Sequence, residues 1–346
     1  MVQDREQQII DFLKKAGSKS SRDIFEGVDL SVSYATLKRI LSKLISENYL
    51  STLGKGKGTK YLISPAFEVV QQIDIVEYYK KEIDDRKIKA GFNFSIIKGV
   101  LAKHSVFTES ELVKLAHIQA KFQINVLQLS ENEYKNEFER LAIDLSWKSS
   151  QIEGNTYSLL ETEKLLKDKE TAAGKTKEEA IMLLNHKDAL DFIIDNPNYL
   201  YPLSVSKIED IHSILVKELD VERNLRKRRV GISGTNYRPL DNEFQISEAL
   251  QNACDVINGK ESVFEKALLA LVLISYIQPF MDGNKRTARI ISNAILINMG
   301  YCPLSFRTVN SIDYKKAMLL FYEQNNLSNF KEIFINQFEF AVNTYF

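Results

Sequence analysis

The most informative part of the sequence reads Gln278-Pro279-Phe280-Met281-Asp282-Gly283-Asn284-Lys285-Arg286-Thr287-Ala288-Arg289. An apolar segment over residues 267–277 precedes it and predicts a helix that ends at Pro279. A second helix is predicted from Asn284 to about Gly300, because glycine commonly ends a helix. The loop between the two helices therefore places an acid, a glycine and an asparagine at a helix N-terminus, where unpaired N–H groups attract anions.

The residues that follow this loop form one polar helical face. Arg286, Arg289 and Asn293 are spaced i, i+3 and i+7, so they point in the same direction. Arginine presents a planar, permanently charged donor fork that matches phosphate oxygens, and Gly283 lets a phosphate approach the backbone. Asp282 at the mouth of the loop offers the oxygen ligand that Mg²⁺ prefers. The pattern predicts a nucleotide-phosphate site, and an ordinary helix start with solvated arginines is the simpler alternative.

The complete string closely resembles the motif of the Fic family, which has the Fido fold: His-x-Phe-x-Asp/Glu-Gly-Asn-Gly/Lys-Arg-x-x-Arg. Proteins of this family mostly transfer AMP from ATP to a hydroxyl group of a target protein. The resemblance covers roughly residues 105–340 and implies that Phe280 anchors the loop in the core while Asp282 holds Mg²⁺. It further implies catalytic roles at position 278, Asn284 and Arg286. The implied ATP-binding set is Phe280, Gly283, Asn284, Lys285, Arg286 and Arg289.

Position 278 departs from that motif, because Gln278 stands where the family has its catalytic His. In the family, this His is the general base that takes the proton from the attacking hydroxyl. A glutamine amide accepts a hydrogen bond but has negligible basicity, and losing a positioned base slows a reaction roughly 10²- to 10⁴-fold. We therefore expect ATP binding to survive while AMP transfer is weak or lost. His212 is the histidine expected to lie nearest the core, in a structural role.

Lys285 is a smaller departure, since most AMP-transferring members carry Gly at that place. Lysine there resembles the death-on-curing kinases of the same fold, which transfer the γ-phosphate instead. Slow phosphoryl transfer therefore stays open as an alternative. Gly283, where those kinases have Ala, favours AMP transfer.

A second segment, Ser149-Ser150-Gln151-Ile152-Glu153-Gly154-Asn155, resembles the inhibitory motif of the family, Ser/Thr-x-x-x-Glu-Gly/Asn. In the family, the Glu pairs with the second Arg of the Fic motif and keeps that Arg from the γ-phosphate. The resemblance implies an inhibitory role for Ser149, Glu153 and Gly154, with Glu153 paired to Arg289. Because this segment precedes the Fic motif in one chain, it is typical of the intramolecularly inhibited class. Taken alone, Glu153 would be an ordinary carboxylate at a helix end.

Residues 229–240 contain glycines between β-branched and aromatic residues, and we predict a short β-hairpin there. In the Fic family, a flap at this place binds the segment of the target to be modified by strand addition, a mode that tolerates varied sequence. The resemblance implies that Gly231, Ile232, Gly234 and Tyr237 contact a target protein. A surface hairpin without function is the alternative.

The first 66 residues form a separate unit. Three helices are predicted, the second starting at Ser20 or Ser21 and the third near Ser33, and a hairpin follows around the turn 54–58. This order resembles a winged helix-turn-helix domain. The unit carries eleven basic and seven acidic residues, a net charge of +4 in a chain whose total is zero. A protein-interaction or dimerisation module is one reading of it. The other is DNA contact through Lys38, Arg39, Lys43, Lys55 and Lys57.

The composition limits the remaining possibilities. The chain has 346 residues with 46 basic and 46 acidic side chains, which excludes a disordered chain and a polybasic protein that coats nucleic acid. Two cysteines in unlike contexts and an N-terminus without a signal-peptide pattern predict a cytoplasmic protein. The apolar run at 267–277 is too short to span a membrane, so no membrane association is expected.

We expect a mainly α protein in three parts: a small winged helix over residues 1–66, a helical connector over 67–104, and an all-helical Fic domain with a short β-hairpin flap over 105–346. The expected function is that of an autoinhibited protein that binds ATP and Mg²⁺ and resembles protein adenylyltransferases. Its expected partners are ATP, a target-protein hydroxyl and DNA through residues 1–66, and the resemblance allows a homodimer. A DNA-binding regulator that uses a non-catalytic Fic domain as a nucleotide sensor is the main alternative.

Overall fold

The computed structural model describes residues 4–89 and 91–346. Within these residues the chain is mainly helical, as predicted, and its one sheet is a small three-stranded sheet near the N-terminus. None of the described helices combines the length and the apolar composition that crossing a membrane requires.

The N-terminal unit has the predicted order of three helices and a hairpin. Its elements are α1 (Asp4–Ala16), β1 (Lys19–Ser20), α2 (Ser21–Gly27), α3 (Tyr34–Ser46), β2 (Leu50–Leu53) and β3 (Lys60–Ile63). Ser20 and Asp23 form a capping box at the start of α2, and the hydroxyl of Ser33 caps α3. Strand β1, which is too short for a sequence pattern, pairs with β3 and completes an antiparallel sheet in the order β1-β3-β2.

The connector over residues 67–104 contains short turns of helix rather than long helices. They are α4 (Phe67–Val70), α5 (Ile75–Tyr78), a 3₁₀ turn (Ile83–Asp85) and a π-helical turn (Ile96–Leu101). Beyond the bonds within these turns, several of its polar groups bond to the rest of the chain. The N–H of Lys89 donates to the carbonyl of Glu323, and Nδ2 of Asn93 donates to the side-chain Oδ1 of Asn325. Backbone groups paired in this way are not available for a continuous helix.

The rest of the chain is a body of ten helices in the described residues, and α12 is its centre. Residues 267–277 are apolar on every side except for Ser275, and all of them are fully buried. A helix that is apolar all round must be surrounded by other elements, and α12 packs between α11 and α13. The helices are α6 (Glu109–Val126), α7 (Glu131–Ile152), α8 (Leu159–Asp168), α9 (Lys177–Asp195), α10 (Val205–Leu215), α11 (Glu243–Gly259), α12 (Val263–Ile277), α13 (Asn284–Asn298), α14 (Ser311–Gln324) and α15 (Ser328–Tyr345).

The predicted β-hairpin at residues 229–240 is wrong. The segment is irregular, with a turn at Gly234, and its β-bridge in the described residues joins Arg238 to Gly91 of the connector. A hairpin requires its two strands to pair with each other, whereas this segment is held by the connector. Arg86, for example, donates to the carbonyl of Gly234. Residues 230–237 are named the flap segment below.

Substitution at the centre of α12 tests this description of the core. Leu271→Ala should lower the free energy of unfolding by about 2–5 kcal/mol, because removing the fully buried side chain leaves a cavity. Urea denaturation followed by circular dichroism measures the change. Leu127→Ala is the matched control: Leu127 is 86% exposed, so its loss should change the free energy by less than about 0.5 kcal/mol. Equal effects of the two substitutions would contradict the central position of α12.

Candidate functional site

A cavity of about 340 Å³ lies between the start of α13, the flap segment and α14. Its charged lining comprises Glu153, Asp282, Lys285, Arg286 and Lys315. Its apolar lining comprises Val230, Ile232, Met281, Met318 and Leu319. Cations beside an apolar wall suit a ligand with one anionic end and one flat apolar end. This cavity is therefore the candidate site.

The loop between α12 and α13 forms one wall of the cavity. Gly283 has a φ of +80° directly before α13, a conformation that favours glycine. A Cβ at Gly283 would lie 3.3 Å from the ring of His212, so the position also lacks room for a side chain. The helix N-terminus beside it leaves N–H groups without intrahelical partners. The local geometry is thus that of an anion site.

Phe280 and Asn284 fasten this loop. Phe280 is fully buried and stacks on His212, with the ring centres 3.6 Å apart. The Oδ1 atom of Asn284 accepts a hydrogen bond from the N–H of Phe280 at 2.8 Å, and its Nδ2 donates to the carbonyl of Phe280 at 2.8 Å. Nδ2 also lies 3.1 Å from Oε1 of Gln278, to which it donates. Asn284 lines the cavity, and its amide maintains the shape of the loop.

Gln278 is held in the same network. It has a left-handed φ of +51° at the end of α12. Its Nε2 donates to the carbonyl of Ser275 at 2.7 Å and to the hydroxyl of Tyr322 at 3.3 Å, while its Oε1 accepts from Asn284. Both polar atoms of the amide are therefore engaged. The residues that line the cavity include no histidine.

Two residues support the loop from behind. Sequence reasoning did not identify Arg226, which is fully buried: its N–H donates to the carbonyl of Pro279 and its Nε to that of Gln278. The basic run Arg226-Lys227-Arg228-Arg229 is the available signal, but it does not reveal which of these side chains is buried. His212 lies with Nε2 2.9 Å from the carbonyl oxygen of Asp282. Burial lowers the pKa of His212, and the ring is a support outside the cavity lining.

Arg286 has a partner at one end of its side chain and free donors at the other. Its Nη2 donates to Oδ2 of Asp282 at 3.0 Å. Its Nε and Nη1 are buried and bond to no group in the described residues. Leaving buried donors of a charged group unpaired is unfavourable, so these atoms indicate a place for an anion.

Asp282 is the carboxylate at the mouth of the cavity, with 67% of its side chain exposed. Across residues 4–89 and 91–346, no group of three or more His, Cys, Asp or Glu side chains could hold a metal ion. A metal ion at this site would therefore depend on Asp282 together with oxygens of the ligand. Mg²⁺ is commonly bound in this way, by one or two carboxylates and the phosphates of a substrate.

The pairing expected between Glu153 and Arg289 is present. Oε1 of Glu153 lies 2.7 Å from Nη2 of Arg289, although 136 residues separate the two in sequence. Arg289 is fully buried and also donates to Oγ and to the carbonyl of Ser149. Gly154, with a φ of +105°, turns the chain directly after Glu153. All three residues of the segment that were singled out therefore shape this contact.

Lys285 is a second cation for the same carboxylate. Its Nζ lies 3.5 Å from Oε2 of Glu153, so that Glu153 is held between Lys285 and Arg289. Burial would raise the pKa of Glu153, but Arg289 and Lys285 outweigh burial and hold the pKa below its ordinary value. The carboxylate is consequently ionised at neutral pH and pairs with both cations.

Fewer residues of the flap segment line the cavity than the sequence predicts. Gly231 and Ile232 line the cavity, whereas the carbonyl of Gly234 is bonded to Arg86. The prediction that Tyr237 contacts a target is wrong, because Tyr237 is buried. Its hydroxyl donates to the carbonyl of Tyr276, and its ring stacks on that of Tyr276 with the centres 5.1 Å apart. An aromatic ring gains more by burial in such a cluster than at the surface.

The basic residues predicted to contact DNA differ in their surroundings. Arg39 and Lys55 are exposed. Lys38 lies over two tyrosine rings, and Lys43 forms an ion pair of 2.6 Å within the unit. The side chain of Lys57 lies outside the part of the chain that the structure describes. Two of these five cations are thus engaged in contacts inside the N-terminal unit.

Comparison with known proteins agrees with this geometry. Residues 202–296, which contain the loop between α12 and α13, match the sequence profile of the Fic/DOC family. The chain is 27% identical over 175 residues to protein adenylyltransferase fic-1 of Caenorhabditis elegans and 29% identical over 192 residues to protein adenylyltransferase Fic of Nematostella vectensis. These matches cover 48% and 54% of this chain, and 34% and 43% of the relatives. The chain therefore spans less than half the length of these curated relatives.

Solved structures share the fold. Fic-1 from C. elegans has a TM-score of 0.60 at 21% identity, over 68% of this chain and 72% of that chain. A Fic family protein from Desulfovibrio desulfuricans has a TM-score of 0.58 at 19% identity, with the same two coverages. At these identities the likeness concerns the fold alone. Together, the profile match and the named relatives show that residues around the loop between α12 and α13 are similar to the Fic/DOC family.

Proposed function

We propose that this chain binds ATP with Mg²⁺ in the cavity and that Glu153 holds it in an inhibited state. The reaction for which the site is built is AMP transfer to a hydroxyl of a target protein, and Gln278 makes that reaction weak or absent. The ion pair between Glu153 and Arg289 is the observation that carries the proposal, because only the fold brings these two residues together.

The donors around the loop fit the phosphates of ATP. Nε and Nη1 of Arg286 and Nη1 of Arg289 are buried without partners in the described residues, so a phosphate would satisfy groups that are otherwise unpaired. Gly283 lines the cavity at the start of α13, where the N–H groups of a helix N-terminus can meet a phosphate. Asp282 is exposed toward the cavity mouth and would hold Mg²⁺. When bound, the ion would neutralise charge on the phosphates.

Inhibition follows from competition for the same cations. Glu153 takes Nη2 of Arg289 at 2.7 Å and approaches Lys285 at 3.5 Å, and neither contact is compatible with a phosphate in the same place. The terminal phosphate of ATP is then excluded from its most buried cation. ATP bound under these conditions has its phosphates displaced from the position that AMP transfer requires.

The side chain of Gln278 is the reason that we propose ATP binding together with weak or absent AMP transfer. A general base must accept and hold a proton near neutral pH, and an amide does not. Moreover, both polar atoms of the Gln278 amide are committed to Ser275, Tyr322 and Asn284. The loop that binds phosphate is left intact by the same contacts.

The flap segment supports a protein target. Gly231, Ile232 and Ser233 line the cavity, and no hydrogen bond to their main chain is made by the described residues. Free main-chain groups beside the nucleotide are what strand addition by a target requires. The relatives in C. elegans and N. vectensis are named protein adenylyltransferases, which fits this arrangement.

A nucleotide sensor joined to a DNA-binding unit is the second candidate, and the engaged amide of Gln278 favours it. Such a protein would bind ATP without turnover. Arg39 on α3 and Lys55 in the turn between β2 and β3 are both exposed and would contact DNA phosphates. Lys43 would contribute less, because its ion pair within the N-terminal unit already neutralises it.

Removal of the Glu153 charge tests the inhibition. Glu153→Gln keeps the shape of the side chain but frees Arg289, so the affinity for ATP should rise about tenfold, as expected for one recovered charge-assisted hydrogen bond. Isothermal titration calorimetry with Mg²⁺ and ATP measures it. Glu163→Gln, which removes an exposed i,i+4 ion pair on α8, is the control and should leave the affinity unchanged. If Glu153→Gln binds ATP no better than the original protein, Glu153 does not inhibit.

The same variant should be less stable without nucleotide. Arg289 is fully buried, and an uncharged amide would replace the carboxylate that balances its charge; loss of one charge of a buried ion pair costs up to about 3–5 kcal/mol. ATP should therefore raise the thermal midpoint of Glu153→Gln more than that of the original protein. If ATP raises the thermal midpoint of Glu153→Gln less than that of the original protein, the proposal that Glu153 and ATP compete for the same cations is contradicted.

Arg286→Ala tests the phosphate contact directly. The substitution removes the unpaired buried donors, and the loss of a charge-assisted hydrogen bond is worth about 1.5–3 kcal/mol, so ATP should bind roughly tenfold to a hundredfold more weakly. Calorimetry again gives the constant. Arg307→Ala, on a partly exposed arginine paired with Asp144, is the matched control. If Arg286→Ala and Arg307→Ala bind ATP with the same affinity, the assignment of the cavity as the ATP site is wrong.

Restoring the base tests the reaction. Gln278→His combined with Glu153→Gly should label the protein itself or lysate proteins with α-³²P from ATP, since the rest of the constellation is in place. The rate should exceed that of Glu153→Gly alone by roughly 10²- to 10⁴-fold. Label from γ-³²P would instead indicate phosphoryl transfer, and the absence of both labels would leave the nucleotide sensor as the function.

A further inference from the structure

The outer side of the flap segment is held by one buried arginine of the connector. Nη2 of Arg86 donates to the carbonyl of Gly234 at 2.7 Å, and its side chain is 3% exposed. Arg86 lies in the connector, which joins the N-terminal unit to the ten-helix body. The contact therefore ties the connector to the cavity.

A buried network fixes the direction of this arginine. Oε1 of Glu323 on α14 lies 3.4 Å from Nη2 of Arg86 and is fully buried. Oε2 of Glu323 accepts from the hydroxyl of Tyr78 at 2.7 Å, and the ring of Tyr79 lies under the guanidinium at 5.0 Å. A buried ion pair adds little net stability compared with apolar residues of the same volume. Its consequence here is geometric, because it leaves the guanidinium aimed at one carbonyl.

A second set of contacts runs beside the first. Nδ2 of Asn236 donates to Oδ1 of Asp84 at 2.9 Å, and Arg238 forms a β-bridge with Gly91. Asp84, Arg86 and Gly91 of the connector thus contact Asn236, Gly234 and Arg238, respectively. The flap segment thus contacts the connector through Gly234 and Asn236 and lines the cavity through residues 230–233.

Gly234 contacts the connector and directly follows the residues that line the cavity. Its neighbours Gly231, Ile232 and Ser233 line the cavity, as does Leu319 of α14. A Cβ built on Gly234 would lie 3.3 Å from Cδ1 of Leu319, so the residue is confined between Leu319 on one side and Arg86 on the other. A displacement of Arg86 would release the backbone at Gly234 and, three residues away, the cavity wall.

We propose that Arg86 is a positioning residue for the cavity wall at residues 230–233 and acts through the carbonyl of Gly234. The connector, which joins the N-terminal unit to the ten-helix body in sequence, then helps to fix the shape of the cavity wall. The proposed nucleotide function is not needed for the positioning itself, so the two can fail separately.

Limited trypsin digestion of the full chain tests this proposal without nucleotide. The exposed residues Lys227, Arg228 and Arg229 directly precede the flap segment and are natural cleavage sites. Arg86→Ala should speed cleavage at 227–229 at least tenfold, measured by mass spectrometry well below the thermal midpoint. Cleavage after the exposed Lys169, between α8 and α9, is the internal reference and should stay within twofold.

Arg140→Ala is the matched control variant. Arg140 also donates to a backbone carbonyl, that of Thr344, pairs with a glutamate and lies over a tyrosine ring, but it does so away from the cavity. It should leave cleavage at 227–229 unchanged. Equal acceleration in both variants, or no acceleration in Arg86→Ala, overturns the proposal.

If Arg86→Ala does not fold, Asp84→Ala decides the question, because Asp84 is exposed and its loss leaves no buried charge. It removes the neighbouring tether to Asn236 and should speed cleavage at 227–229 about threefold. Unchanged cleavage in Asp84→Ala would overturn the role of the connector.

Discussion

The ion pair between Glu153 and Arg289 is the contact on which the site depends. Two buried guanidinium groups close together are costly unless anions lie beside them, and α13 carries Arg286 and Arg289 within its first two turns. The protein must therefore provide a negative charge whenever a ligand does not. Helix α7 does so by ending at Ile152, so that Glu153 lies at its terminus and Gly154 turns the chain away. In the proposed function, the inhibited state is therefore the arrangement that pairs this buried charge when no ligand is bound.

The parts of the structure that depend on local signals could be predicted from the sequence. The apolar run in α12, Pro279 and Gly283 each act within a few residues, and so they locate the two helices and the loop between them. The partner of Arg289 could not be derived from spacing, because 136 residues separate the pair. It was reached through the resemblance of two motifs to a family, and Lys285 as its second cation was not foreseen.

Contacts between distant segments account for the remaining differences. The roles of Arg226 and Arg86 depend on which carbonyl groups the fold brings near them, and no local pattern encodes this. The glycines and β-branched residues of the flap segment favour a hairpin, but a strand also needs a partner, and the connector supplies the contact instead. The burial of Tyr237 likewise depends on Tyr276, which lies 39 residues further along the chain, so no local pattern predicts it.

The backbone at position 278 imposes requirements that are independent of proton transfer. The residue must adopt a left-handed conformation, donate to the carbonyl of Ser275 and accept from Asn284. A neutral imidazole has one donor and one acceptor nitrogen, whereas the Gln278 amide donates to both Ser275 and Tyr322 and accepts from Asn284. A side chain that takes up a proton at this position would therefore give up one of these three contacts. In the proposed function, the amide thus fastens the loop with the same atoms that a base would use for proton transfer.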